Sequence, residues 1–464
     1  MQKNIVIHKK GSRSDLNNYR PISLLPVLSK ILERFLNHQI TNHISPHLCK
    51  SQFGFTPKLG CVDALTEVID LVKDNKAKKF LSSAFYLDIT KAFDTVNHQI
   101  LIKKLKNFGF ESNALQLLKS YLKDRLINVW CNDLLSAQRT VNIGVPQGSV
   151  LGPTLFLIYI NDLAFTCNKI ENCQTILFAD DTTIICREKD TDKLLNLLDK
   201  SITLAKTWFD ANKLSLHPEK TRLMHFYSTS NDTVIVNGTP IPLIGKNQRE
   251  TTYKLLGILV DNYLKFEIHT DSLCKKINQY IYALRRIRPH VDIKARKAFF
   301  YSFIQSNCTY CSSIWAISKK NVDKINKIYK KALRLLPSKN SLHSIPICKT
   351  LEILPFDLTL KKNIALQAFK NIANKKILLA SSPRLREKRI AINPSTSGCY
   401  LLLSEQTQTW NHLPVDLRLI DTIGLFKKKL KETLLKSLLP PTECTNPRCP
   451  DHRIPPPGVT TTPP

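Results

Sequence analysis

The stretch ILFADDTTIIC, residues 176–186, places Asp180 and Asp181 side by side between two apolar, strand-like runs. This pattern predicts a β-hairpin with the two aspartates at or near its tip. One interpretation is a polar turn, where aspartate is favoured for its local hydrogen bonds. The other is a divalent metal site, because Mg²⁺ prefers hard carboxylate oxygens. The dipeptide alone favours the turn, so the rest of the sequence has to decide.

The composition points to a polyanionic partner. The chain has 464 residues, enough for two or three domains, and carries 68 Lys and Arg against 37 Asp and Glu, a formal net charge of +31. Such an excess destabilises a compact protein unless a polyanion shares it, so nucleic acid is the leading partner class. A membrane surface is the second, but no run of about 18 apolar residues is present to span a bilayer. No signal peptide is recognisable either, so we expect an intracellular protein of the nucleus or cytoplasm, not a secreted one.

The thirteen cysteines follow no disulfide framework and indicate reduced thiols. Cys308 and Cys311 form a CxxC without a second pair at zinc-ribbon spacing. Cys444, Cys449 and His452 offer three zinc ligands without a clear fourth. For both groups a metal site is the minor interpretation.

A second carboxylate region lies earlier in the chain. In SAFYLDIT, residues 83–90, apolar residues alternate with Tyr86, Asp88 and Thr90, the period of a half-buried strand. Asp88 therefore lies on the less apolar face of that strand. Together with the hairpin pair it supplies three carboxylates on strands of one sheet. A two-metal phosphoryl-transfer site requires such a set.

A series of ordered motifs carries a resemblance to a known family. FADD after an apolar strand resembles the catalytic hairpin of reverse transcriptases, and the other motifs follow that family's order. They are NNYRPISLLPVLSKILERFLNHQI (17–40), QFGFTPKLGCVDAL (52–65), LDITKAFDTVNH (87–98), GVPQGSVLGPTLFLIYINDL (144–163), LSLHPEKTRLMHF (214–226), YKLLGILVD (253–261) and, near the end, WNHLPVDLRLIDTIGLFKKKLKETLL (410–435). The first two resemble the fingers region of non-long-terminal-repeat (LINE-type) retrotransposon polymerases. The last resembles the segment that closes certain members of that group, the jockey/CR1-like elements. An intron-type or telomere-type polymerase is the nearest alternative.

The resemblance implies an RNA-directed DNA polymerase that extends a DNA 3′-OH on an RNA template. Asp88, Asp180 and Asp181 are then the catalytic and metal-ligating aspartates, holding two Mg²⁺ ions, with Mn²⁺ as an alternative. Lys220 is implied as the group that protonates the departing pyrophosphate. The expected partners are an RNA template, a DNA primer or target and deoxynucleoside triphosphates, and the sequence indicates no oligomeric state.

Four further residues are implied to bind the nucleotide. Phe93 matches the aromatic steric gate that excludes a ribose 2′-OH, and Gln147 lies by the incoming nucleotide and template. Arg20 matches the arginine that holds the triphosphate, a task that suits a planar bidentate donor. Lys9 is the expected lysine partner of a phosphate, with Lys10 as the alternative. Without the resemblance, Phe93 is a core aromatic and the lysines are solvated surface groups.

The implied architecture is an α/β (α+β) right-hand polymerase with an antiparallel-sheet palm, fingers and a helical thumb. Residues 263–340 have the spacing of amphipathic helices, and from 271 to 340 they carry 16 Lys and Arg against 3 Asp and Glu, which suits contact with a phosphate backbone. We predict five regions: fingers, truncated at the N-terminus, at 1–80; palm with interleaved fingers at 81–262; thumb at 263–340; a helical region at 341–440; and a Pro-rich flexible tail at 441–464.

Two features depart from the family pattern. Nothing resembles the endonuclease domain that usually precedes the polymerase, and the terminal cysteine/histidine knuckle is not recognisable. The chain therefore resembles a fragment, a truncated element copy or a processed form. A catalytically silent nucleic-acid-binding protein of a degenerate element is the alternative function.

Overall fold

The computed structural model describes residues 2–9, 11–131, 133–217, 219–236, 239–245, 248–338, 344–373 and 401–438. The chain divides into two compact units, Met1–Leu256 and Gly257–Pro464.

The first unit alternates strands and helices. Its elements are β1 Gln2–His8, β2 Tyr19–Leu24, α1 Val27–Ile44, α2 Cys61–Ala77, β3 Leu81–Leu87, α3 His98–Asn107, α4 Ser112–Leu122, β4 Arg125–Cys131, β5 Leu134–Leu135, β6 Arg139–Val141, α5 Leu151–Cys167, β7 Cys173–Phe178, β8 Asp181–Glu188, α6 Thr191–Ala211, β9 Arg222–Phe226, β10 Ile235–Val236, β11 Thr239–Pro240, β12 Leu243–Ile244 and β13 Thr252–Leu255.

A central sheet in the order β12-β9-β3-β8-β7 organises this unit. All its neighbouring strands are antiparallel except β12 and β9. Phe85 and Leu87 of β3 and Ile184 of β8 point to one face and join the main core with residues of α5 and α6. Since side chains alternate along a strand, Tyr86 faces the other way. There its ring stacks on Tyr253 at 4.1 Å between centroids.

A second sheet combines distant parts of the chain. β1 pairs antiparallel with β2 and parallel with β4, and β4 also pairs with β5 and β6. Residues 2–24 and 125–141 thus share one sheet although β3 lies between them in sequence.

The second unit is mainly helical. Its elements are β14 Ile258–Asp261, α7 Glu267–Ile287, α8 Ile293–Phe299, a π-helical turn Phe300–Gln305, α9 Ser306–Thr309, α10 Ser312–Trp315, α11 Lys319–Leu333, α12 Ser344–Leu351, α13 Phe356–Ala373, α14 Leu401–Asn411, α15 Val415–Arg418 and α16 Ile423–Lys436.

The predicted amphipathic character of residues 263–340 is confirmed. α7 buries Ile277 and Leu284, and α11 buries Ile325, whereas most of the basic side chains stay at the surface. Near the C-terminus, α13 and α16 meet through Phe369 and Phe426, whose rings stack at 4.7 Å.

Local patterns predict one strand across YKLLGILVD and a helix across KAFDTVNHQILIKKLKNFGF, residues 91–110, and both expectations need correction. YKLLGILVD does not form one strand, because Leu256 adopts φ 45° and Gly257 φ 87°, and this turn separates β13 from β14. The helix expected after Asp88 begins only at His98, and residues 91–94 form turns. The apolar run LFLIYI, residues 155–160, is helical within α5.

The candidate zinc ligands Cys308 and Cys311 gain no support. Cys308 and Cys311 are buried among helices, and no three His, Cys, Asp or Glu side chains of the described residues are arranged to hold a metal ion. Cys444, Cys449 and His452 lie outside the described residues. In the described part of the chain, no helix is long and apolar enough to cross a membrane.

Candidate active site

The acidic pair lies at the tip of a tight hairpin, as the sequence predicted. Phe178 and Asp181 are the last paired residues of β7 and β8, so only Ala179 and Asp180 form the turn. Ala179 adopts φ 56°, a left-handed conformation that costs a residue other than glycine about 1–3 kcal/mol. The surrounding structure must hold this turn in place.

Asp88 comes to the same end of the sheet from β3. The pairing of Leu87 with Thr182 places Asp88 one residue beyond β3, next to the start of β8. Its backbone carbonyl accepts a hydrogen bond from His217 N at 3.0 Å. The chain segment that carries Lys220 is thereby fixed beside Asp88, and Lys220 Nζ lies 3.6 Å from Asp88 Oδ2.

The three carboxylates repel one another. Burial raises the pKa of Asp180, and the charge of Asp88 raises it further, whereas Arg20 and Lys9 lower it. Desolvation raises the pKa of Asp181 to about 6, with added repulsion from Asp180 and Asp88, although Asp181 keeps contact with solvent. The site thus concentrates negative charge that a cation would neutralise.

A cleft of about 1560 Å³ brings together most of the predicted site residues. Seven of the eight line it: Lys9, Arg20, Asp88, Phe93, Gln147, Asp180 and Lys220. Asp181 is the exception. Its charge instead acts on Tyr253, whose pKa is raised to about 12 by burial first and then by Asp181 and Asp88.

The cationic side of the cleft is built on β1 and β2. Ile7 pairs with Arg20 across these strands, and Lys9 N donates to Asn18 O at 2.8 Å just beyond them. Burial lowers the pKa of Lys9, and the charges of Arg20 and Lys220 lower it further. Three cations therefore share one region of the cleft, an arrangement that suits a polyphosphate. Lys10, the alternative to Lys9, lies outside the described residues.

The glycine-rich loop after β6 is fixed against the segment that follows β3. Val145 N donates to Phe93 O at 2.8 Å, and Gln147 Nε2 donates to both carboxylate oxygens of Asp94, at 2.7 and 2.8 Å. The ring of Phe93 stacks on Phe156 at 4.6 Å between centroids. Phe93 and Gln147, 54 residues apart in sequence, are thereby neighbours at the cleft.

The sequence interpretation missed several residues of this site. Asp94 stands next to Phe93 in the quoted motif, which was the available signal. Arg125 and His98 both donate to Gly144 O, at 2.9 and 2.8 Å. His98 ends that same motif, whereas no local pattern marks Arg125. Buried Glu33 of α1 accepts from Val150 N at 2.6 Å, and so holds the loop from behind.

Residues 7–260 match a protein-family model described as reverse transcriptase (RNA-dependent DNA polymerase). That span covers more than half of the chain and contains all eight predicted site residues. The chain belongs to the reverse transcriptase family. Membership, together with the mixed sheets and helices, also confirms the predicted right-hand polymerase fold of the α/β class.

Among similar reverse transcriptases, the RNA-directed DNA polymerase from mobile element jockey of Drosophila melanogaster is 28% identical over 343 residues, which cover 71% of this chain and 37% of that protein. The probable RNA-directed DNA polymerase from transposon BS of the same species is 28% identical over 344 residues, covering 72% and 38%. The predicted resemblance to a LINE-type, jockey-like element is confirmed, and the chain spans less than half the length of these relatives.

Apo telomerase from Candida tropicalis is similar at 14% identity, with a TM-score of 0.43, over 94% of this chain and 66% of that one. At this TM-score the likeness supports no conclusion about this chain.

Reverse transcriptases in general use divalent metal ions. Asp88 and Asp180 present carboxylate oxygens to the cleft, the donors that such ions prefer. The described residues contain no closed set of three ligands, but a Mg²⁺ site of a polymerase needs only one or two carboxylates, with waters and substrate phosphates completing the shell. The residues present therefore fit an ion that is held jointly by protein and substrate.

Proposed function

We propose that this reverse transcriptase is an RNA-directed DNA polymerase that extends a DNA 3′-OH on an RNA template and releases pyrophosphate. The observation that carries the proposal is the composition of one cleft. Asp88 and Asp180 face it together with the cations Lys9, Arg20 and Lys220. Carboxylates for the reacting oxygens and cations for the triphosphate are the two parts that phosphoryl transfer requires.

The cations divide the work on the triphosphate. Arg20 offers a planar fork that binds phosphate oxygens in a bidentate manner, and Lys9 adds a second positive charge beside it. Lys220 is exposed and lies within 3.6 Å of Asp88, so its ammonium reaches the reacting centre and donates a proton to the leaving pyrophosphate. Two Mg²⁺ ions, for which Mn²⁺ is a substitute, would activate the attacking oxygen and stabilise the leaving one.

Phe93 and Gln147 select the nucleotide in this proposal. The ring of Phe93 is held by its stack on Phe156, so it presents a fixed surface against the sugar, where a ribose differs only by its 2′-OH. The amide of Gln147 is fixed by Asp94. Since a carboxylate only accepts hydrogen bonds, the Gln147 nitrogen must face Asp94, and its oxygen is left for the substrate or template.

The template and primer are the partners that we assign to the basic excess. Residues 1–80 are assigned to fingers, 81–262 to palm with interleaved fingers, and 263–340 to a thumb that follows the duplex backbone. Neutralised phosphates make such binding independent of sequence and sensitive to salt.

A primer-extension assay with the purified chain, oligonucleotide-primed RNA and Mg²⁺ or Mn²⁺ tests the proposal. The wild type is expected to incorporate labelled deoxynucleotides, and Asp180→Ala is expected to abolish incorporation while retaining RNA binding. Salt-dependent RNA binding without any extension by the wild type would instead support the catalytically silent alternative.

A further inference from the structure

The hairpin turn that carries Asp180 is supported by a separate segment, Ser51–Gly54. Leu177 N donates to Ser51 O at 2.9 Å, and Phe53 N donates to Leu177 O at 2.8 Å. Gln52 thus forms a parallel bridge with Leu177 on the edge of β7 that β8 leaves open. This segment extends the central sheet up to the turn.

The side chain of Gln52 reaches the turn itself. Its Oε1 accepts hydrogen bonds from Gly54 N at 2.8 Å and from Ala179 N at 3.3 Å. Both neighbours are backbone donors, so the oxygen and not the nitrogen must face them. Gln52 is only 1% exposed, and its Nε2 is buried without a hydrogen-bond partner among the described residues. Leaving the amide nitrogen unpaired is unfavourable. The two contacts of Oε1 therefore set the orientation of the Gln52 amide.

Gly54 allows the two backbones to touch. A Cβ on Gly54 would lie 2.3 Å from Ala179 N and 2.8 Å from Phe178 C. Both are backbone atoms of the hairpin, so no side-chain rotation relieves the overlap. Any larger residue at position 54 must push the segment and the turn apart.

We propose that Gln52 and Gly54 are positioning residues for catalysis, holding the strained Ala179 turn so that Asp180 faces the cleft. This inference rests on the proposed polymerase function, because only then does the position of Asp180 set a rate. Neither residue touches substrate. Their effect passes through the Ala179 amide to the neighbouring carboxylate.

Gln52→Met tests the proposal in the full chain, because methionine has a similar length and no acceptor oxygen. Gln174→Met is the matched control, because it makes the same substitution on β7 away from the turn. The Gln174 side chain contacts Glu67 at 3.4 Å. Hydrogen exchange of the peptide covering residues 176–183 reports hairpin order without any substrate. Primer extension under saturating and limiting deoxynucleotide reports kcat and KM separately.

We expect Gln52→Met to speed exchange of that peptide by about tenfold, the effect of losing one hydrogen bond, and to lower kcat by at least about tenfold with KM nearly unchanged. Gln174→Met should change neither. Gly54→Ala, which keeps the glutamine but separates the backbones, should reproduce both effects, and it gives the answer if Gln52→Met does not fold.

Equal hydrogen-exchange rates of the 176–183 peptide in Gln52→Met and Gln174→Met would overturn the proposal. So would faster exchange with an unchanged kcat, or a lower kcat with unchanged exchange. A wild type that extends no primer would refute the polymerase function instead, and exchange alone would then decide whether Gln52 holds the turn.

Discussion

Replacing Gly144 by alanine should detach the glycine-rich loop from the segment that follows β3. Gly144 adopts φ 73°, and a Cβ there would lie 2.6 Å from Asp94 O and 2.8 Å from Asp94 C. Ordinary contact begins at 3.4 Å, so the two backbones must separate by nearly an ångström. That shift strains the hydrogen bonds Gly144 N to Val96 O and Val145 N to Phe93 O, both 2.8 Å long.

The expected loss of stability follows from these contacts. A left-handed alanine costs about 1–2 kcal/mol, and weakening two backbone hydrogen bonds costs about 1 kcal/mol each. We therefore expect Gly144→Ala to lower the free energy of unfolding of the first unit by about 3–4 kcal/mol.

Hydrogen exchange of β3 and β8 peptides across a urea series measures the free energy of unfolding of the first unit separately from that of the second. Gly60→Ala is the control in the same unit: its nearest neighbour, Asp63 Oδ2, would be 4.0 Å from the new Cβ, and φ is −155°. Gly60→Ala should lower the free energy of unfolding by less than about 1 kcal/mol, the effect of a substitution at a helix N-cap. Equal losses for the two variants would refute the assignment of Gly144 as a close-contact glycine.

Three further predictions concern catalysis, pH and salt. Lys220→Met should lower kcat for primer extension by about 10²–10⁴-fold. Lys220→Arg should also lower kcat, because a guanidinium keeps the charge but does not release its proton; an unchanged kcat in Lys220→Met would contradict the role of Lys220 as proton donor. Burial lowers the pKa of His269 to about 4, and its Nδ1 accepts from Leu259 N at 3.4 Å. Since the unfolded histidine binds its proton already near pH 6.5, this stability is fully present above pH 6.5 and is lost as the pH falls towards 4. Urea titrations of the second unit in acid should show a loss of about 1–3 kcal/mol in the free energy of unfolding. His269→Gln should make this pH dependence shallower, and an equally steep loss in His269→Gln would show that other groups cause it. Lys327 and Lys331 are exposed one turn apart on α11 and form no ion pair within the described residues. Replacing both by glutamine should therefore reduce the slope of log affinity against log salt concentration for an RNA–DNA duplex by about 1.4–1.8. The control is Lys320→Gln, because the Lys320 ammonium already pairs with Glu267 at 2.7 Å. This variant should reduce the salt slope less, and an equal reduction per lysine would contradict the phosphate contacts.

Local patterns predicted the parts of the site that local structure determines. The apolar runs around Asp180 and Asp181 predicted a hairpin with the aspartates at or near its tip, and alternation along SAFYLDIT predicted that Asp88 lies on the less apolar face of its strand. The family resemblance supplied Lys9, Arg20, Phe93 and Gln147, which line the same cleft.

What the sequence did not predict depends on contacts between distant residues. Gln52 reaches Ala179 across 127 positions, and Asp94 holds Gln147 across 53. Neither contact leaves a periodic pattern. Asp181 differs from its neighbour for a geometric reason: Asp180 belongs to the turn and Asp181 already to β8, so adjacent carboxylates meet different surroundings.

Single-nucleotide addition to a primed RNA tests the central claim most directly. With Mg²⁺ and one deoxynucleotide at a time, the wild type should add only the base complementary to the template. Asp88→Asn, which keeps the shape and removes the charge, should slow this step by at least about 10³-fold while still binding the primed RNA. A wild type that binds primed RNA but adds no nucleotide, or an Asp88→Asn variant that adds it at the wild-type rate, would contradict the account.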